Sequence, residues 1–270
     1  MFVAEGYRIE RCPNCELVQV RDEPDSAVLA RIYDTLHVKH STYRSEAAAA
    51  RENERRVDLL RRHLPEHATV LDAGCATGDF LQLAKGSFRM SGLDVSAGAI
   101  KVARERNPEL GARLCVGRIE DWPANLGTFD AICLWDVIEH LWDPVSTCRR
   151  LFEHLAPGGL LFLSTPDAGA MIAKVMGRRW AFMIPPEHLS LFARSSFRYL
   201  FRSVVPGDIV HHVSQGKWTN FAFLLYKLNR MNERLFPRKL MDWAARSSAG
   251  KMLIYVPTGD VQYLAVRKRS

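Results

Sequence analysis

Two rhythms of apolar residues alternate through the middle of the chain. Ala68–Leu71, Phe88–Leu93, Ala112–Val116, Phe129–Trp135 and Leu160–Ser164 are short apolar runs, which predicts buried strands. Between them lie segments of helical spacing: Gly78–Lys85, Ser96–Arg106 opened by a serine cap, and Asp143–Leu155 with Asp143 as cap and Pro144 at its first position. Gly158 and Gly159 read as a turn. Strands alternating with helices imply a mostly parallel sheet covered on both faces. Ahead of this region, Ser45–Leu64 is rich in helix formers, with a partial apolar face of Val57, Leu59, Leu60 and Leu64.

After Thr165 the rhythm breaks. Residues 166–206 read as loops and short helices, including Arg194–Phe201. Asp208–Val213 reads as a strand, Trp218–Trp243 as an amphipathic helix interrupted at Pro237, and Val261–Val266 as a final strand. The first 45 residues look like a separate module built around Cys12-Pro13-Asn14-Cys15. The expected division is a knuckle and linker over 1–44 and an α/β domain over 45–270, within which 166–250 forms a lid.

Composition narrows the function classes. With 47% hydrophobic and 25% charged residues among 270, the chain has the profile of a soluble globular protein. No run approaches the roughly 20 apolar residues of a membrane span, so no integral membrane segment is expected. Met1–Glu10 carries acidic residues and no apolar core, unlike a signal peptide. The six cysteines are scattered, which suits a reducing compartment, and the expected location is cytoplasmic. The formal charge of +7 is spread over several stretches and mixed with acids, so no nucleic-acid partner is expected.

The most informative segment is Val70-Leu71-Asp72-Ala73-Gly74-Cys75-Ala76-Thr77-Gly78-Asp79-Phe80. A strand ends in an acid, a glycine-bearing loop follows, and a helix starts, as at a ligand site beyond the carboxyl ends of α/β strands. The glycine spacing is not that of a dinucleotide loop, and the carboxylates of Asp72 and Asp79 would repel a pyrophosphate. They suit a ligand without phosphates that carries an ammonium and a sulfonium, such as S-adenosylmethionine. The next strand ends at Asp94, where a carboxylate can grip a ribose diol.

Five motifs in order carry a resemblance: Leu-Asp-Ala-Gly-Cys-Ala-Thr-Gly at 71–78, Gly-Leu-Asp-Val-Ser at 92–96, Phe-Asp-Ala-Ile at 129–132, Asp-Val-Ile-Glu-His at 136–140 and Leu-Ala-Pro-Gly-Gly at 155–159. Val70–Pro166 resembles the class I S-adenosylmethionine-dependent methyltransferases, in the branch of the ubiquinone-biosynthesis O-methyltransferases. The resemblance implies a Rossmann-like, doubly wound seven-stranded sheet, parallel with an antiparallel final strand, plus a helical lid. It implies S-adenosylmethionine as cofactor, with Asp72, Gly74, Cys75 and Gly78 at its methionine part, Asp94 at the ribose, and Val95 among the cofactor-binding residues. Ile119 and Glu120 would flank the adenine, and Trp135 would border the sulfonium. One departure is Ala76, where the family loop usually has another glycine.

The expected reaction is methyl transfer to a small-molecule acceptor, O-methylation of a hydroxyl by direct displacement. That chemistry needs a base near the strand ends. His140 is the first candidate, then Glu139 and His188. Asp136, Glu139 and His140 offer an alternative divalent-metal run, used so by ubiquinone-type relatives, although no metal is assigned. The lid aromatics Trp180, Phe182, Trp218, Phe221 and Phe223 favour a hydrophobic, aromatic or lipid-linked acceptor. Cys12 and Cys15 form half a zinc knuckle, which resembles a truncated zinc ribbon; His37 and His40 could complete it only at an unusually short spacing. The rival readings are a non-catalytic protein that keeps the fold as a binding module, and an oxidoreductase using NAD.

Overall fold

The computed structural model describes residues 1–25, 28, 45–123, 126–231 and 236–269. Three short strands open the chain, β1 (Phe2–Ala4), β2 (Tyr7–Arg11) and β3 (Val18–Val20), followed by helix α1 (Glu46–Arg61). The alternating region gives β4 (Thr69–Ala73), α2 (Asp79–Ala84), β5 (Arg89–Asp94), α3 (Ala97–Arg106), β6 (Leu114–Val116), β7 (Phe129–Trp135), α4 (Pro144–Glu153) and β8 (Leu155–Pro166). The rest comprises α5 (Met171–Met176), β9 (Ser190–Leu191), α6 (Arg194–Tyr199), β10 (Gly207–Asn220), α7 (Phe221–Met231), α8 (Arg238–Arg246) and β11 (Leu253–Lys268).

Seven strands form one sheet in the order β10-β11-β8-β7-β4-β5-β6. The pairs β4–β5, β5–β6, β4–β7 and β7–β8 are parallel, whereas β11 runs antiparallel to both β8 and β10. This is the expected doubly wound architecture, with β11 as its one reversed strand. Successive side chains point to opposite faces, and both faces are buried here. Leu71, Ile132, Leu163 and Leu264 enter one core with α4 and α6. Their neighbours Val70, Cys133, Phe162 and Ala265 enter the other with α1, α2 and α3. That two-sided burial is why the strands read as continuous apolar runs.

The chain crosses from one side of β4 to the other between β6 and β7, which places the switch point of the sheet at the carboxyl ends of β4 and β7. A crevice opens there in folds of this kind. The first helix α1 is capped by Ser45, whose Oγ accepts from Ala48 N at 3.2 Å. It is latched over the crevice by Glu52, which accepts from Trp218 N at 2.8 Å and from the Tyr263 hydroxyl at 2.6 Å.

Three features differ from the sequence expectation. Trp218, Thr219 and Asn220 belong to β10, not to a helix, which begins at Phe221. Their backbone is held by β11, whose partners Leu253–Val256 lie far along the chain. Gly158 and Gly159 lie within β8, where Gly158 adopts φ 72°. The opening strands are not free-standing either. They extend to β9 in the order β1-β2-β3-β9, and the Ser196 hydroxyl donates to Cys15 O at 2.8 Å. Among the described residues, no helix is long and apolar enough to cross a membrane.

Candidate active site

A cavity of about 320 Å³ lies at the switch point, bounded by α1, the loop after β4, the end of β7, and β10. Asp72 sits at its floor, 2% exposed, at the end of β4. One of its carboxylate oxygens, Oδ1, has no hydrogen-bond partner. Burial raises its carboxyl from 3.8 to about 7, opposed by Arg56 and reinforced by Asp94. A buried acceptor without a donor is a costly arrangement in a folded chain. It is the kind of atom a cationic ligand would satisfy.

The loop after β4 owes its path to the residues around it. Gly74 has φ 91° and Gly78 φ 80°; Gly78 opens α2, where a Cβ would meet Asn107 Nδ2 at 2.8 Å. Between them Ala76 is also left-handed, at φ 46°. The position where the family usually has glycine therefore keeps a glycine-like backbone with a methyl on it, at a cost. Asp94 holds the loop from the next strand: its Oδ2 accepts from Ala76 N at 2.8 Å and its Oδ1 from Ser96 N at 2.9 Å. Each oxygen keeps a further acceptor site.

Of the residues expected at the cofactor, Asp72, Gly74, Cys75 and Trp135 line the cavity. The other expected cofactor residues do not. Gly78 packs on α3, Val95 is 48% exposed beyond β5, Ile119 is buried in the core, and Glu120 lies at the surface beside Arg118. They follow the ends of β4, β5 and β6, along the edge of the sheet leading away from the cavity. Trp135 makes an edge contact with Phe80 at 5.5 Å, and its Nε1 lacks a partner.

The structure adds a residue that sequence reasoning missed. Arg56 reaches from α1 across the cavity; its Nη2 pairs with Asp136 at 2.5 Å, and its guanidinium lies 5.4 Å from the Trp135 ring centre. It was hidden in a run with Arg51, Arg55, Arg61 and Arg62, where spacing alone separates no inward arginine from solvated ones. Asp136 also accepts from the Ser164 hydroxyl at 2.9 Å and adopts φ 57°.

The three expected base candidates converge. Ligand atoms of Glu139, His140 and His188 lie within 4.8 Å of one another, and the two imidazoles meet at 4.9 Å. The lid delivers His188: Leu189 N donates to Glu139 O at 2.7 Å. His140 Nδ1 donates to Glu187 O at 2.6 Å and His188 Nδ1 to Phe182 O at 2.7 Å. A carbonyl can only accept, so each Nδ1 carries the hydrogen and Nε2 is the basic nitrogen. Burial lowers both imidazoles below their ordinary value, His188 well below with His140 and two lysines adding to it. Glu139, buried and near Asp136, is pushed up to about 8 and accepts from Thr165 Oγ1 at 2.9 Å. The triplet is also a set of metal-type ligands, with His188 in the place expected for Asp136, which turns to Arg56 instead.

Cys12 and Cys15 are free thiols in the turn after β2. His37 and His40, considered as partners for them, lie outside the described residues.

Residues 22–204 match the family model described as a methyltransferase domain. The chain belongs to the methyltransferase family. S-adenosylmethionine is its cofactor, as the motifs implied. The ubiquinone biosynthesis O-methyltransferase of Chromobacterium violaceum is 31% identical over 150 residues, covering 53% of this chain and 64% of that protein. A dTDP-3-amino-3,6-dideoxy-alpha-D-glucopyranose N,N-dimethyltransferase of Streptomyces fradiae is 32% identical over 141 residues, 50% of this chain and 52% of the other. This chain thus spans between half and two thirds of these relatives. Among solved structures, the [4+2]-cyclase SpnF superposes with a TM-score of 0.57 at 18% identity, covering 92% of this chain and 98% of that one; the likeness is one of fold.

Proposed function

We propose that this methyltransferase-family chain methylates a small-molecule acceptor at a hydroxyl oxygen. The observation that carries the reading is the Asp72 carboxylate, buried at the switch point with an acceptor oxygen unsatisfied. It matches the ammonium of an amino-acid-bearing nucleoside and disfavours a diphosphate. When bound, S-adenosylmethionine supplies an activated methyl group on a sulfonium sulfur. The chain's own work is to hold, align and deprotonate.

In this reading Asp72, with the backbone at Gly74, Cys75 and Gly78, receives the methionine part. Asp94 and Val95 face the ribose, Ile119 and Glu120 flank the adenine, and Trp135 closes the wall beside the sulfonium. His140 accepts the proton of the acceptor hydroxyl at Nε2. Its pinned tautomer aligns Nε2 as the accepting nitrogen, and its lowered pKa keeps the imidazole unprotonated near pH 7. His188 backs it from the lid, and Glu139 anchors the loop. Phe223 and Trp218 line the cavity, with Phe182 beside Lys217 and His188, and this aromatic character suits a hydrophobic, aromatic or lipid-linked acceptor. A sugar N-methyltransferase among the relatives makes nitrogen the alternative accepting atom.

The ligand spacing of Glu139, His140 and His188 favours one second reading, in which the triplet holds a divalent cation that polarises the hydroxyl. Incubation with methyl-labelled cofactor and paired hydroxyl and amine acceptors tests the main reading. Label on oxygen, unaffected by chelation, supports it. Activity lost to chelator and restored by a divalent ion supports the second reading, and label only on nitrogen contradicts the hydroxyl assignment.

A further inference from the structure

We propose that Lys217 recognises the acceptor, and that the acceptor carries an anionic group, a carboxylate or a phosphate, seated against its ammonium. The inference rests on the methyltransferase reading above and adds a substrate class to it.

The backbone aims Lys217 into the cavity. The β10–β11 register breaks between Gln215, opposite Val261, and Lys217, opposite Val256. Between those pairs β10 has only Gly216 while β11 has Pro257–Asp260, so the extra residues lie on β11 and the ladder is interrupted immediately before Lys217. Gly216 makes this interruption possible, since a Cβ there would collide with the Val256 carbonyl. Two anchors from α1 hold β10 on either side of Lys217: Arg55 Nη1 donates to Gly216 O at 3.0 Å, and Glu52 accepts from Trp218 N. Lys217 thereby lines the same cavity as Asp72 and Trp135.

Among the described residues, its ammonium has no ion-pair partner at contact distance. Nζ lies 4.2 Å from the Phe182 ring centre, and among the described residues no carboxylate lies within salt-bridge distance of it. The acids that act on it from further away are each engaged elsewhere. Asp136 pairs with Arg56 and accepts from Ser164. Asp260 accepts from Trp180 Nε1 and Thr258, Glu52 is held by Tyr263 and the Trp218 amide, and Glu139 accepts from Thr165. A second ammonium, Lys227 Nζ, lies 5.8 Å from the Phe182 ring centre. Phe182 stacks on His188 at 6.0 Å, so Lys217, which shares a cavity with the loop after β4, also adjoins the base triplet through that ring. A desolvated cation with no counterion is compensated most simply by an anion that arrives with the ligand.

Calorimetry on the full chain saturated with S-adenosylhomocysteine tests this, using para-hydroxybenzoate, para-hydroxyphenylphosphonate and the neutral para-hydroxybenzamide as probes. One anion should bind at least about tenfold tighter than the amide. Which anion wins distinguishes a carboxylate from a phosphate. Lys217→Met should bring anion and amide to within about twofold, and Lys217→Arg should keep most of the preference. S-adenosylhomocysteine should bind Lys217→Met as it binds the parent chain, which also shows that the variant is folded. Equal binding of anions and amide by the parent chain overturns the proposal, as does a preference that survives Lys217→Met. A variant that loses S-adenosylhomocysteine instead places Lys217 on the cofactor's own carboxylate. Failure of the parent chain to bind S-adenosylhomocysteine would remove the methyltransferase reading itself, a separate result.

Discussion

Replacing Asp72 with asparagine should strengthen the empty fold above neutral pH and weaken cofactor binding at the same time. The side chain is 2% exposed, and its carboxyl is raised from 3.8 to about 7. Because the folded value lies above the unfolded one, the folded chain holds more protons across that window. Stability therefore falls as pH rises from about 4 to about 7, and the whole penalty is present above it. A displacement of that size is worth about 4 kcal/mol. The amide carries no charge but leaves its own donors unmet, at about 1–3 kcal/mol. Asp72→Asn should thus gain roughly 1–3 kcal/mol over the parent at pH 8, and lose about 1–3 kcal/mol at pH 4, where only the cost of the unmet amide donors remains. Urea unfolding at both pH values measures this. In the same variant the charge-assisted bond to an ammonium is lost, which weakens S-adenosylhomocysteine by about tenfold or more. Methylthioadenosine, which lacks the amino-acid part, should bind both proteins alike. A variant that is no more stable at pH 8 than at pH 4 relative to the parent, with cofactor affinity intact, would refute the reasoning.

Three further outcomes follow from the same geometry. Ala76→Gly should raise stability by about 0.5–1 kcal/mol, because it relieves a left-handed alanine at φ 46° and concedes some chain entropy; an unchanged or lower melting temperature counts against this. His140→Ala should lower kcat by about 10²–10⁴ with S-adenosylhomocysteine affinity unchanged, and a variant with full kcat would remove His140 as the base. Arg56→Met should destabilise the chain by about 1–2 kcal/mol, less than for a fully buried pair because Asp136 is 50% exposed; thermal melts without ligand check it.

The sheet was legible because its chemistry is local. Strands buried on both faces announce themselves as apolar runs, and Asp143-Pro144 or Ser96 mark helix starts with short-range hydrogen bonds. Asp72, Gly74, Cys75 and Trp135 stood at strand ends, and the topology alone sends those ends to one crevice. Residues that enter the site from elsewhere left no such trace. Arg56 sits in an arginine-rich helix, and only the packing of α1 turns it inward. Lys217 stood just ahead of Trp218–Trp243, which has helical periodicity, whereas pairing with residues more than thirty positions downstream makes 217–220 a strand. The convergence of His188 with His140 depends on β9 docking beside Glu139, a contact between segments about fifty residues apart.

The fold by itself leaves the reaction open, since a cyclase shares it. The site's own charges are an orphaned carboxylate at Asp72 and, at Lys217, an ammonium with no carboxylate at salt-bridge distance among the described residues. The most direct test is calorimetric titration of the purified chain with S-adenosylmethionine and, separately, with NAD. Saturable one-to-one binding of the sulfonium compound, with no heat from NAD, is the predicted result. Tight binding of NAD by a chain indifferent to S-adenosylmethionine would contradict it.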